Sequence, residues 1–175
     1  MILVVHALAG AALSSQIKTT WLGWVLAFCS HFVLDLIPHC DYSLKGISFG
    51  WKSKNFWLVI LKLTLDLAAG FILIIIFNNH KGNLFNVLIG GFLGILPDGL
   101  NAIAYFSKNR SWKKLFLGET INANNTEPAD NFSYKISNFY QKIHHNIHGQ
   151  KSENPRIFWG VMNQIIVALT ALLLI

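Results

Sequence analysis

The stretch His31–Asp41, His-Phe-Val-Leu-Asp-Leu-Ile-Pro-His-Cys-Asp, carries two imidazoles and two carboxylates at the end of an apolar run. His31 and Asp35 are four apart, so on a helix they share one face about one turn apart. Pro38 then ends or kinks that helix, because it has no N–H and disfavours helical backbone at the residue before it. Such a turn brings His39 and Asp41 back toward the same point. Two neutral nitrogens and two anionic oxygens meeting at one spot make a cradle for a divalent metal, Zn²⁺ first and Mn²⁺ or Fe next. The plainer reading is a His31–Asp35 pair that satisfies itself at a helix end. Four such groups beside a membrane segment favour the metal.

Chemistry-bearing residues recur along the chain. Asp66 falls near the middle of the apolar run 56–77, four residues after Lys62. An intramembrane acid is a functional candidate by default, and an ion pair with Lys62 is the alternative. The segment Gly94-Ile-Leu-Pro97-Asp98 repeats the earlier device of apolar run, proline and acid. It predicts a helix interrupted at Pro97, where freed carbonyls must find other donors or line a cavity. His144 and His148 are four apart, a spacing that lets two imidazoles share a metal, and His145 makes a doublet with the first. A solvated, His-rich helix end is the competing reading. His6, the only ionisable side chain in residues 1–14, reads by itself as a hydrogen-bonded core histidine.

Composition says what kind of scaffold must position these groups. Hydrophobic residues make up 53% of the 175 and charged residues 13%, against about a quarter charged in ordinary soluble domains. That combination predicts an integral membrane protein, all-α, with residues 1–175 forming a single embedded domain. Cys29 and Cys40 form neither a disulfide framework nor a zinc-finger pattern. The N-terminus lacks the basic stretch of a cleaved signal peptide.

The expected bundle has about four spanning helices: 20–38, 56–77, 84–105 and 157–175. Residues 1–14 would reach about 20 Å as a helix, short of the ~30 Å apolar core, so they form a short or re-entrant helix packed through Ala and Gly. Trp21 and Trp24 suit an interfacial start for the second helix. Gly90, Gly91 and Gly94 supply a small-residue face for close helix packing. Residues 106–156 are a long polar excursion. Within it Phe132, Ile136, Phe139, Tyr140, Ile143 and Ile147 recur at helical spacing, as in an amphipathic helix lying on the interface.

With residues 1–14 inserting from the side where the chain begins, loops 39–55 and 107–156 share a side. They hold 11 of the 14 Lys and Arg, against two on the opposite side. The positive-inside rule makes the first side cytoplasmic, in a prokaryotic inner membrane. This accounts for the net charge of +6 without nucleic acid. It also gathers Asp35, His39, Asp41, Asp98, His144, His145 and His148 near the cytoplasmic face, with His6 and His31 a little deeper and Asp66 deeper still.

The order of these motifs, His6 in an Ala/Gly-rich start, His31-x-x-x-Asp35-x-x-Pro38-His39-x-Asp41, Gly94-x-x-Pro97-Asp98 and a late His-x-x-His, resembles the YdjM-like membrane-bound metal-dependent hydrolases across nearly the whole chain. The resemblance implies a metal-dependent hydrolase, with His6, His31, Asp35, His39, Asp41, Asp98 and His148 as ligands or their supports. Many relatives carry a further acid or His where this chain has Gly99 and Asn101, which leaves the ligand set one short. A remoter, shorter likeness joins the His-Phe-x-x-Asp motif to the zinc-dependent phospholipase C and single-strand nuclease superfamily.

The expected chemistry is hydrolysis with two or three divalent ions, in which Asp41 or Asp66, if not bound to metal, takes the proton of the attacking water. A site flanked by basic and aromatic residues at the bilayer suits an amphipathic or lipid-linked phosphate. The same residues also suit a divalent-metal or proton transporter, or a metal-binding membrane protein, and polar helix breaks alone suit a structural protein. Beyond Asp66 the third helix has no polar side chain to its end at Phe77, which favours a pocket over a channel.

Overall fold

The computed structural model describes residues 3–37, 39, 54–78, 83–108 and 157–175, with residues 101–108 and 157 described in backbone only. Among them are five helices and no strand: α1 Leu3–Gln16, α2 Thr20–Asp35, α3 Lys54–Phe77, α4 Leu84–Lys108 and α5 Ile157–Leu174. The expected interfacial helix around 132–147 lies outside the described residues, as do Asp41, His144, His145 and His148.

The short first helix is the centre of the molecule. It packs against each of the other four, and Val5, Ala7, Leu8, Ala11 and Ala12 are buried along it. Its side chains are small enough for neighbouring backbones to close on it. At the far end Ser15 and Gln16 donate from their side chains to the carbonyl of Leu174, which ties the last turn of α1 to the last turn of α5.

Contacts between named residues give the helix directions. Gly70 of α3 lies against Val4 and Ala7, and Ile74, one turn on, lies against Gly91 of α4. Helices α1, α3 and α5 therefore run the same way. Gly90 of α4 meets Ser14 and Gly94 meets His6, while Gly23 of α2 meets Ser14. Helices α2 and α4 thus run opposite to α1.

The tightest approach is between α1 and α4. A Cβ at Gly94 would fall on the carbonyl oxygen of His6, and one at Gly90 would fall on Ser14 and lie 2.7 Å from the carbonyl oxygen of Gly10. No side chain fits there, so glycine sets the spacing. The main core cluster surrounds this contact and joins Ala7, Leu8 and Ala11 to Ile74, Val87, Ile95, Ala171 and Ile175.

Helix ends follow local chemistry. Asn83 accepts from the N–H of Phe85 through Oδ1 at 3.0 Å and caps α4. The N–H groups of Leu36 and Ile37 bond to Val33 and Leu34, a tightened last turn ahead of Pro38. Helix α2 accordingly stops at Asp35, before the expected position 38. The expected interruption of the fourth helix does not occur: α4 runs continuously through Pro97. Pro97 is fully buried, and an outside donor reaches the turn before it. His31 Nδ1 donates to the carbonyl of Gly94, three residues earlier.

Helix α3 is the one described helix long and apolar enough to cross a membrane, and only 11% of its most apolar window is buried inside the protein. A core helix of a soluble protein would be mostly buried. Leu61, Leu65, Ile72, Ile75 and Ile76 all face outward.

The close approach predicts a position-specific penalty. Gly94→Leu should lower stability by about 3 kcal/mol, the upper end of overpacking. Gly99→Leu, where a Cβ meets nothing within 4 Å, should change it by no more than about 0.5 kcal/mol. Denaturation of the two variants in detergent measures both, and equal losses would remove the glycine contact as the determinant.

Candidate metal centre

The site forms where α1, α2 and α4 meet. His31 and Asp35, one turn apart on α2, face the central helix and reach His6. Asp98 approaches from α4, immediately after Pro97. Among the described residues, His6, His31 and Asp98 form a group whose ligand atoms all lie within 4.8 Å of one another and could hold a metal ion.

Asp35 is not one of the three but contacts both imidazoles, one through each oxygen. Its Oδ1 is 3.4 Å from His6 Nε2 and its Oδ2 is 3.2 Å from His31 Nε2. Asp98 Oδ1 is 3.6 Å from His31 Nε2. The two imidazoles lie near each other as tilted rings, centroids 4.3 Å apart. Nδ1 of His6 is buried and has no hydrogen-bond partner among the described residues.

The orientation of His31 decides the chemistry. Its Nδ1 is 3.0 Å from the Gly94 carbonyl oxygen, which only accepts, so the hydrogen sits on Nδ1. In the neutral ring Nε2 then carries a lone pair, and that lone pair faces oxygens of two carboxylates. Two lone pairs at this range repel. A positive charge between them reverses the sign, and only a proton or a metal cation fits.

The distances are compatible with a cation. Charge-assisted N–H···O bonds are about 2.7–2.9 Å long, shorter than all three separations. Donors around a tetrahedral ion with bonds near 2.0–2.2 Å lie about 3.3–3.6 Å apart, which brackets two of the three contacts and lies close to the third. A backbone carbonyl holding the far nitrogen of a ligating imidazole is also the usual support for a metal site. The donor set of two imidazoles and two carboxylates suits Zn²⁺, and Mn²⁺ or Fe²⁺ as well.

Other expected residues fall elsewhere. His39 donates from Nδ1 to the Ile37 carbonyl at 2.6 Å and stands outside the metal-capable group. Asp66 is half-buried on α3, with Oδ2 shielded from solvent, while Lys62 is exposed. Asp66 lies one turn before Gly70, about 6 Å along the axis, and Gly70 is level with the His6 turn. The Gly94 carbonyl was not among the sequence candidates. Its signal is indirect, a glycine one turn before a mid-helix proline.

The chain matches no family model, no curated protein and no solved structure.

The geometry predicts one tautomer. In ¹⁵N NMR of the metal-loaded protein, His31 should be protonated at Nδ1 and not at Nε2. A proton found on Nε2 would mean that the Gly94 contact does not orient the ring.

Proposed function

We propose that this protein is a polytopic membrane-bound hydrolase that depends on a divalent metal and cleaves a phosphoester of a lipid or lipid-linked substrate. The observation that carries the reading is His31, locked through Nδ1 to the Gly94 carbonyl and presenting Nε2 to two carboxylates. The proposal includes kinship with the YdjM-like membrane-bound metal-dependent hydrolases, whose motif order these residues follow.

Two belts of exposed aromatic residues support the membrane reading. Trp57, Phe158 and Trp159 stand exposed at the starts of α3 and α5, on one side. Trp21, Phe85 and Phe77 stand exposed at the opposite side. Trp57 and Phe77 are separated by about 30 Å of helix at ~1.5 Å per residue, the thickness of a bilayer's apolar core. Most outward residues between the belts are aliphatic, Val25, Leu65, Ile72, Ile165 and Leu169 among them, with Lys62 the exposed charge. Helices α2 and α5 are short for a full crossing and belong to a tilted or locally thinned arrangement.

Within that frame the site lies deeper than the cytoplasmic surface. His31 is about 15 Å along α2 from Trp21, and Asp98 about 20 Å along α4 from Phe85. The centre is therefore near mid-depth, with its acidic side toward the Trp57 belt. The Lys- and Arg-rich loops follow that belt, which makes it the cytoplasmic side.

A divalent ion held by these residues supplies a Lewis acid and an activated water. His6, His31 and Asp35 hold and orient it. Asp98, the ligand with exposed surface, faces what arrives. Asp66, half-buried on the neighbouring helix, would serve as the base for the proton of the attacking water.

A second reading, a divalent-metal transporter, gains from the mid-depth position. Against it, α3 beyond Asp66 and α4 between Val87 and Leu96 carry no ionisable side chain. The polar groups stop halfway.

Elemental analysis of the purified protein should find a divalent metal that Asp35→Ala loses, together with metal-dependent hydrolysis of phosphodiesters or phosphomonoesters. Metal without hydrolysis, but with Zn²⁺ or Mn²⁺ uptake into proteoliposomes, would establish the transporter. Absence of metal after reloading would defeat both.

A further inference from the structure

The four candidate ligands are not equally enclosed. The side chains of His6 and His31 are 0% exposed and that of Asp35 is 1% exposed, whereas that of Asp98 is 27% exposed. The three enclosed groups come from α1 and α2; the open one comes from α4.

The enclosure has identifiable walls. Between α1 and α4 the backbones touch at Gly10, Gly90 and Gly94, which leaves no room beside Ser14 or the His6 carbonyl. Between α2 and α4 the His31 ring is bonded to Gly94. Between α1 and α2 Gly23 lies against Ser14, and Ala27 is fully buried. All three seams are shut on the side that leads to Trp21 and Phe85. Beyond Pro97 the described residues leave the Asp98 side chain 27% exposed. Gly99 is exposed, and a Cβ there would meet none of the described residues within 4 Å.

An exposed carboxylate at this depth is costly against lipid tails. The open face of Asp98 must therefore meet water or polar atoms, and the Trp57 side is where the walls permit them. We infer that Asp98 is the entry and exchangeable ligand of the site, so that cations reach the fixed set His6, His31 and Asp35 only past Asp98, from the Trp57 side. This rests on the reading of these residues as a cation site. It adds an order to the ligands and a direction of access.

Co²⁺ loaded into the full-length protein in sealed proteoliposomes of sorted orientation tests the inference, with its absorption and stoichiometry as readouts. In the wild type, an impermeant chelator should strip Co²⁺ only from vesicles that expose the Lys/Arg-rich loops. Stripping from the opposite orientation would overturn the direction of access. Asp98→Ala should retain Co²⁺ but surrender it about tenfold faster or more, whereas Asp35→Ala should retain none. Equal loss in the two variants would overturn the ranking of ligands. Gly99→Trp guards against misfolding of the Asp98 variant: it keeps every ligand and fills the opening, so Co²⁺ release should slow, and an unchanged rate would count against the inference. A wild type that binds no Co²⁺ would overturn the cation site itself, an outcome distinct from bound Co²⁺ released from the wrong side.

Discussion

The backbone contact between α1 and α4 is the constraint on which the other features depend. With glycine at 10, 90 and 94, the two helices approach until the His6 carbonyl lies where a Gly94 side chain would be. That approach places His6 beside the turn of α4 that ends in Pro97 and Asp98. It also leaves the Gly94 carbonyl uncovered, and His31 reaches it from α2. A larger residue at 94 would separate the helices, remove the support of His31 and pull His6 away from Asp98. Packing and chemistry are here one geometry.

The proline in α4 acquires a meaning from the same contact. A proline inside a helix withdraws an N–H from the preceding turn and crowds it. In an apolar setting the disturbed backbone needs donors from elsewhere. His31 donates in the same turn, to the Gly94 carbonyl rather than to the Leu93 carbonyl that loses its helical donor, and in doing so commits its other nitrogen to face the carboxylates. The burial of Asp35 against two imidazoles calls for a compensating positive charge, since buried acids without one are strongly disfavoured.

A central helix of only 14 residues also explains why the site is deep yet one-sided. Wrapped by four neighbours, α1 is nearly all interior, and its small apolar half faces the Trp21 side. Its single histidine is close to its start, toward the other side. The polar groups of α2 and α4 meet it there, each late in its own helix. The antiparallel arrangement thus concentrates the acids on one half of the molecule without any of them being adjacent in sequence beyond His31 and Asp35.

The sequence by itself determined the helices and half of the site. Apolar runs located all five helices to within a few residues, because helical length and hydropathy are local properties. The pair His31 and Asp35 was legible because four-residue spacing fixes a shared helix face. Asp98 was legible as an acid after a proline and, through the motif order, as a companion of that pair. Only the tertiary structure decided that His6, taken alone a plausible core histidine, sits against Asp35, because that neighbour is set by how closely α1 and α2 pack. Tertiary packing likewise encloses α4 at Pro97, where local propensity favours a break yet the helix runs on with the proline fully buried. The depth of the centre and the unequal exposure of its ligands depend on which helices surround α1. No periodicity within one segment encodes that arrangement.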